Sequence, residues 1–104
     1  MAHCPFERLA DLEPILDEIR GWPGIREPRP GVFYVKRTPF LHFHVNAGGR
    51  RWADARLGAT WGPEIDVSEP ASRATGQRFL REVRRRYRAT AAGGVQARSG
   101  AGTP

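Results

Sequence analysis

A chain of 104 residues with a net charge of +6 and one cysteine is long enough for one domain and too short for two. The lone Cys4 excludes an intrachain disulfide, and with it the disulfide-built class of small secreted proteins. The sequence contains neither a signal-peptide pattern nor an apolar run near the roughly 18 residues of a membrane-spanning helix. We therefore predict a cytoplasmic protein with no membrane partner.

The positive charge is concentrated near the end of the chain. Residues 1–70 contain nine basic and ten acidic side chains and sum to −1, whereas residues 71–90 contain seven Arg and one Glu and sum to +6. Basic segments attract phosphates and other polyanions. Sixteen of the 17 basic residues are Arg. A GC-rich genome produces the same bias, so the enrichment in arginine has two alternative explanations, polyanion binding and genomic composition.

The first predicted element is an amphipathic helix over residues 5–20, where apolar residues recur every three or four positions. Pro14 interrupts it. We expect either a kink at this proline or a helix that begins at residues 12–14 after a separate turn. Gly21 is predicted to end the helix, and Trp22 is predicted to cover the core.

Residues 31–57 predict three antiparallel strands, because polar and apolar side chains alternate along them. Residues 25–30 should be extended before these strands, and the alternating run 64–67 predicts a fourth strand at a sheet edge. The polar side chains of the central strands are expected to share one open face. That face consists of Tyr34, Lys36, His42, His44, Asn46, Trp52, Asp54 and Arg56.

The length of the loop before residue 50 determines the neighbours of the histidines. A three-residue loop at 47–49 sets Asp54 opposite His42 on the polar face, whereas a two-residue Gly48-Gly49 turn sets it opposite Phe43 on the apolar face. We favour the three-residue loop. Trp52 and the aspartate then neighbour the histidine strand directly.

A second loop determines what else belongs to this face. A two-residue connection through Thr38 would place Pro39 at a disfavoured turn position. We therefore favour a three-residue loop at 38–40, which assigns Tyr34 and Lys36 to the histidine face.

The last predicted element is a helix that Ser68 caps, with Pro70 in its first turn and an end near Ala89. It continues through Gly76, although glycine disfavours a helix interior by about 1 kcal/mol relative to alanine. One arc of the helix is apolar and should pack on the sheet. The opposite arc is an arginine stripe, which either contacts a polyanion or is the solvated side of the helix. The stripe consists of Arg78, Arg81, Arg85 and Arg88.

The order of elements predicts an α+β fold. We expect a two-layer sandwich in which N- and C-terminal helices cover one face of an antiparallel sheet of three or four strands. Residues 1–88 should form a single domain, and residues 89–104 a flexible Gly/Ala-rich tail that buries too little surface to order. Since so short a domain has a small core, a homodimer would supplement its stability.

His42 and His44 are the nearest approach to a metal motif. At positions i and i+2 of a strand they share a face, and Asp54 across the hairpin would complete two histidines and one carboxylate around a divalent metal with open positions. Such a centre supports metal-assisted hydrolysis or oxygen chemistry. The alternative is that these histidines face solvent or bond to each other. His3, close to the N-terminus, is expected to be mobile and not a dependable ligand.

The same face suits a different class of function. An exposed sheet that interleaves aromatic and cationic side chains can hold single-stranded nucleic acid or a small acidic metabolite. No RNP-like, KH-like, helix-turn-helix or nucleotide-loop signature accompanies it. The groups concerned are Tyr34, Lys36, His44, Arg50, Arg51, Trp52 and Arg56.

The run WPGIREPRPGVFYVKRTPFLHFHVNAGGRRWADARL, followed by QRFLREVRRRY, resembles two bacterial groups. The "PGV then F-V-x-x-K-x-F" progression is similar to MmcQ/YjbR-like proteins, a resemblance that implies a CyaY-related α-β-α arrangement and a proposed DNA-binding role. WPGI and the H-x-H strand resemble the luciferase-like domain family, whose role is open. This chain lacks the C-terminal strand of either group, and neither resemblance transfers catalytic residues.

The sequence thus predicts a binding module for a polyanion or nucleic acid, using the arginine stripe with Lys36 and Arg56. The competing hypothesis is a small metal-dependent enzyme or metabolite-binding protein that uses His42, His44 and Asp54. A structural or partner-binding protein is the third alternative. Whether the chain is an enzyme is left open.

Overall fold

The computed structural model describes the backbone of residues 2–102 and the side chains of residues 3–92. Seven strands, one 3₁₀ helix and two α-helices form the α+β fold that the sequence predicts. The elements in chain order are β1 (Ala2–His3), the 3₁₀ helix (Phe6–Leu12), α1 (Glu13–Arg20), β2 (Ile25–Arg29), β3 (Val32–Val35), β4 (Thr38–Val45), β5 (Arg51–Leu57), β6 (Thr60–Trp61), β7 (Ile65–Asp66) and α2 (Arg73–Gly102).

The strands form one antiparallel sheet in which β4 and β5 are central. The order is β2-β3-β4-β5-β6, with β1 also paired to β4 and β7 also paired to β5. The sheet is wider than predicted because three short segments, β1, β2 and β6, add to it. The extended segment before β3 and the edge strand β7 are confirmed.

The N-terminal helical region divides at its proline, as one of the two predicted alternatives requires. A 3₁₀ helix ends at Leu12, and α1 then begins with Pro14 in its first turn, where the missing N–H removes no helical bond. Gly21 is its C-cap. Trp22 packs against the core with its ring 4.9 Å from that of Tyr87.

The core lies between the helices and one face of the sheet, which we call the helix-covered face. Aromatic side chains meet there: the ring centres of Phe43 on β4 and Phe79 on α2 are 5.7 Å apart. Burial of large apolar side chains is the main favourable contribution to folding. The largest fully buried apolar residues are Leu9, Leu12, Leu16, Ile19, Phe33, Phe40, Leu41, Phe43, Val67, Phe79 and Val83.

The connection between β3 and β4 differs from the predicted loop. Val35 pairs with Thr38, so Lys36 and Arg37 form a two-residue turn, and Lys36 has a positive φ of 56°. The register then shifts before Leu41. The shift is a bulge that places one extra residue in β4 and so compensates for the shorter turn. Tyr34 therefore still lies on the same face as His42, as predicted, whereas Lys36 lies in the turn.

An arginine is enclosed among the apolar residues of the helix-covered face. Arg51 is fully buried and forms two hydrogen bonds of 2.7 Å to the Asp11 carboxylate. It also donates to the carbonyls of Val67 and Arg8. Every contact is within the protein, so Arg51 is not the nucleic-acid contact that its neighbourhood in the sequence suggests.

The last helix begins later than predicted. Ser72, not Ser68, caps α2 by accepting a hydrogen bond from the N–H of Thr75. The chain cannot turn into a helix earlier, because Val67 is still buried in the core and the N–H of Ala71 donates to Asp11.

The end of α2 lies beyond the predicted boundary near Ala89, since the backbone is helical to Gly102. Side chains after Ala92, and residues 103–104, lie outside the part that the structure describes. The division into a domain at 1–88 and a flexible tail at 89–104 therefore stays a prediction. Of the helices described, none has the length and apolar character needed to cross a membrane.

Candidate metal centre

The two histidines of β4 point away from the helices, onto what we call the histidine face of the sheet. His42 pairs with Asp54 and His44 with Trp52. The loop at residues 47–49 has three residues, as predicted, and is held by a hydrogen bond from the N–H of Asn46 to the carbonyl of Arg50. The odd loop length gives β4 and β5 the register that brings the aspartate to the histidines.

Asp54 joins the two imidazoles. Its Oδ2 lies 3.3 Å from Nε2 of His42 and 3.0 Å from Nε2 of His44. One ligand atom from each of the three residues lies within 4.8 Å of the other two. Two nitrogens and one carboxylate oxygen thus converge on a space that one ion can bridge.

The three side chains are partly shielded from solvent but still accessible. The exposed fractions are 23% for His42, 13% for His44 and 26% for Asp54. Burial lowers the pKa of His42, the nearby His44 lowers it further, and hydrogen bonding to Asp54 opposes both effects. A lowered pKa keeps the imidazole uncharged near neutral pH, the form in which histidine binds metals.

Two indole rings enclose the histidine pair. Trp52 stacks on His44 with ring centres 5.3 Å apart, and Trp61 stacks on His42 at 4.9 Å. The sequence predicts no partner for Trp61. The residue reaches this face through the short strand β6, which pairs with β5 after a turn in which Gly58 has a φ of +74°. In both pairs the imidazole and the indole are nearly parallel, with interplanar angles of 23° for His42–Trp61 and 28° for His44–Trp52.

Guanidinium groups cover the outer sides of these indoles. The Arg50 guanidinium lies 4.6 Å from the centre of Trp52, and that of Arg56 lies 4.7 Å from the centre of Trp61. Arg56 also donates to the carbonyls of Pro39 and Ala59. Arg56, which the sequence predicts to bind an anion, is thus engaged in contacts with Trp61 and with two backbone carbonyls.

His3 is the residue of the cluster that sequence reasoning missed. It lies in β1, directly opposite His44, and its ring centre is 5.6 Å from that of His42. The N–H of Cys4 adds to this pairing a hydrogen bond to the carbonyl of Phe43. The expected mobility of the N-terminus stays a prediction. No pattern in the sequence pairs a two-residue strand with β4.

Two buried polar atoms of the cluster have no hydrogen-bond partner. They are Nδ1 of His44 and Nε1 of Trp52, and no other buried side-chain nitrogen or oxygen in residues 3–92 is in this position. Buried polar groups are otherwise almost always paired. Within residues 3–92, all buried side-chain nitrogens and oxygens that lack a hydrogen bond therefore lie in this cluster.

The remaining predicted contacts do not join the cluster. Tyr34 lies on the histidine face, where the Arg26 guanidinium is 5.9 Å from its ring centre. Lys36 is exposed in the β3–β4 turn. The predicted ligand face is therefore narrower than the sequence suggests.

The arginine stripe is exposed on the side of α2 that faces away from the sheet. Arg85 is joined to Glu82 at 2.8 Å, and Arg78 donates to the hydroxyl of Thr75. Because α2 covers the opposite face of the sheet, the stripe and the histidine cluster lie on opposite sides of the molecule. The structure separates the two sites that the sequence proposed.

No family model, no curated protein and no solved structure matches this chain. The resemblances to the MmcQ/YjbR-like and luciferase-like groups therefore stay hypotheses. Functional inference for this chain rests on the geometry of its own residues.

Proposed function

We propose that this protein binds a first-row transition metal ion through His42, His44 and Asp54. The observation that carries the proposal is the position of Asp54 Oδ2, 3.0 and 3.3 Å from the two imidazole Nε2 atoms. A carboxylate oxygen and two imidazole nitrogens are the ligand set of many zinc and non-haem iron sites. Calcium and magnesium prefer sites made of oxygen alone.

Preorganisation favours a metal site over a set of mutually bonded side chains. The stacked rings of Trp52 and Trp61 hold the histidines in place, so little side-chain freedom remains to be lost when an ion binds.

Three protein ligands leave coordination positions open. An ion held in this way can act as a Lewis acid, lower the pKa of a bound water, or bind dioxygen. The proposal is therefore compatible with a small metal-dependent enzyme or a metabolite-binding protein. The position on a face that neither helix covers gives a ligand access.

The test is metal binding by protein purified without a polyhistidine tag, measured by titration with Zn²⁺ and Co²⁺ against a competing chelator. Wild type should bind one equivalent. His42→Ala and Asp54→Asn should each weaken binding by at least about 100-fold, since each removes a ligand.

Asp66→Asn is the matched control. Asp66 lies on the same face, opposite Trp52, and is paired with Arg50 rather than with a histidine. This variant should bind metal as wild type does. Absent binding in wild type, or an equal loss in Asp54→Asn and Asp66→Asn, would contradict the proposal.

A second candidate function, polyanion or nucleic-acid binding, is favoured by the exposure of the arginine stripe. Arg78, Arg81, Arg85 and Arg88 are all exposed along one side of α2. Exposed cations in a row can neutralise several phosphates at once, which makes binding depend strongly on salt. Lys36 and Arg56 lie elsewhere, so this proposal rests on the stripe alone.

Charge reversal separates a specific stripe from general basicity. Arg81→Glu/Arg88→Glu should elute from DNA or RNA columns at lower salt than wild type. The control Arg29→Glu/Arg37→Glu changes the net charge equally at two exposed arginines of the β2–β4 region. Equal elution of the two double variants would show that the stripe has no special role.

The cytoplasmic location and the homodimeric state are carried forward as proposals from the sequence. The first is based on the single cysteine and on the sequence patterns described above, and the second on the stability that a dimer would add to a small core. Sedimentation equilibrium would test the second, and a dimer that buries Trp61 would link it to the metal centre.

A further inference from the structure

All three histidines of the chain lie in one cluster. β1 pairs with β4 so that His3 stands directly opposite His44, and cross-strand partners share a face of the sheet. His3 thus joins the histidine face beside the two residues already assigned to the metal. The two-residue strand β1 therefore brings His3 next to the other two histidines.

The spacing of the three ring centres is compatible with imidazoles around one ion. With metal–nitrogen bonds of about 2 Å and angles between about 90° and 110°, two imidazoles on the same metal have ring centres about 5 Å apart. The observed separations are 4.6 Å for His42–His44, 5.4 Å for His3–His44 and 5.6 Å for His3–His42. All three pairs lie close to the expected value.

We propose that His3 is the third imidazole ligand of the metal centre, an inference that rests on the proposed function. The group within 4.8 Å contains His42, His44 and Asp54, so His3 completes the site by turning its exposed side chain toward the ion. Three nitrogens and one carboxylate oxygen then make a four-ligand set, the number that zinc prefers.

The same bond would fasten β1 to the sheet. This strand has two residues, and its other edge faces a cleft of about 160 Å³ lined by the β2–β3 turn instead of another strand. Apart from its pairing with β4, the hydrogen bond from the N–H of Cys4 to the carbonyl of Phe43 holds it. Metal binding should therefore stabilise the N-terminal strand, and release of His3 would open one coordination position.

The experiment compares Co²⁺ and Zn²⁺ binding by full-length wild type, His3→Ala and Cys4→Ser. Wild type should give the intense visible absorption of four-coordinate Co²⁺ and should show three shifted histidine ring signals by NMR. In His3→Ala, affinity should fall by at least about tenfold, because the loss of a ligand should cost no less than the loss of an outer-shell partner. Its absorption should weaken, and two ring signals should shift. Cys4→Ser controls for thiolate ligation and should match wild type.

The outcomes separate this inference from the proposal beneath it. If wild type binds no metal, both fail. If wild type and His3→Ala bind with the same affinity and the same spectrum while His42→Ala does not bind, His3 is not a ligand and the three-residue centre stands. If amide exchange of residues 2–4 is not slowed by Zn²⁺ in wild type, the fastening of β1 is refuted even where affinity falls.

Discussion

The two faces of the sheet differ most sharply between neighbouring residues of one strand. Phe43 is 2% exposed and packs against α2, whereas His44, the next residue, points to the face that neither helix covers. On the helix-covered face even the buried guanidinium of Arg51 has a hydrogen-bond partner at each of its three nitrogens. On the histidine face, Nδ1 of His44 and Nε1 of Trp52 are buried without a partner. One face supplies the packed core, whereas the other contains the two buried side-chain atoms that have no partner in residues 3–92.

The largest effect that tests this contrast should come from Phe43→Ala. Removing a fully buried aromatic ring leaves a cavity and should lower the free energy of unfolding by about 3–5 kcal/mol. Urea denaturation followed by circular dichroism measures it. A loss below about 1 kcal/mol would mean that the helix-covered face does not hold the core.

Next in size should be Asp11→Asn, which leaves the buried Arg51 without its counter-ion. Breaking a buried ion pair from one side should lower the free energy of unfolding by about 3 kcal/mol. Asp11→Leu/Arg51→Met removes both charges and should recover part of that loss, although the carbonyls of Val67 and Arg8 lose their donor. If the double variant is as unstable as the single one, the pair is not the reason for the loss.

The dependence of stability on pH is a second test of the Asp11–Arg51 pair. Hydrogen bonding from Arg51 lowers the pKa of Asp11 below its ordinary value of 3.8. The folded state therefore binds fewer protons than the unfolded state near this pH. Its contribution is complete above pH 3.8 and is lost as the pH falls through the lowered value. Wild type should lose stability steeply below about pH 4, and Asp11→Asn less steeply, as measured by unfolding at a series of pH values.

A smaller gain is expected from Gly76→Ala on the helix-covered face. A Cβ at this helical position would meet the side chain of Ile15 at 3.7 Å, an ordinary contact. The variant should therefore raise the free energy of unfolding by about 1 kcal/mol. Gly62→Ala is the opposite case, because a Cβ there would lie 2.6 Å from the buried Arg86. It should destabilise the protein, and similar results for both glycines would contradict this account.

The smallest change in stability, with the largest change in binding, should come from His44→Phe. The substitution keeps an aromatic ring against Trp52 and removes the unpaired Nδ1, which offsets the loss of the 3.0 Å contact between Nε2 and Asp54. The free energy of unfolding without metal should therefore stay within about 1 kcal/mol of the wild-type value. Metal binding should be lost. A stability loss as large as that of Phe43→Ala would remove the distinction between the two faces.

Alternation along the chain was enough to predict much of this arrangement. The fold class and the register of β4 and β5 follow from rules that act between near neighbours, and so does the interruption at Pro14, for which the sequence left a kink and a new helix start as alternatives. The odd loop at 47–49 is the decisive case, because it alone brings Asp54 opposite His42. Local rules failed at β3–β4, where a bulge replaced the expected loop, and at Ser68, where contacts of Val67 and Ala71 with the core delay the helix.

The sequence by itself determined the periodicity, that is, which side chains of a strand or helix share a face. The periodicity in turn separates an apolar face from a polar face. Tertiary structure alone decided which distant segments complete the polar side. β1 brings His3 to His44 and β6 brings Trp61 to His42, through pairings of two residues that carry no signal of their own. The physical reason is that such short strands form only on a sheet edge that already exists, and the rest of the chain builds that edge.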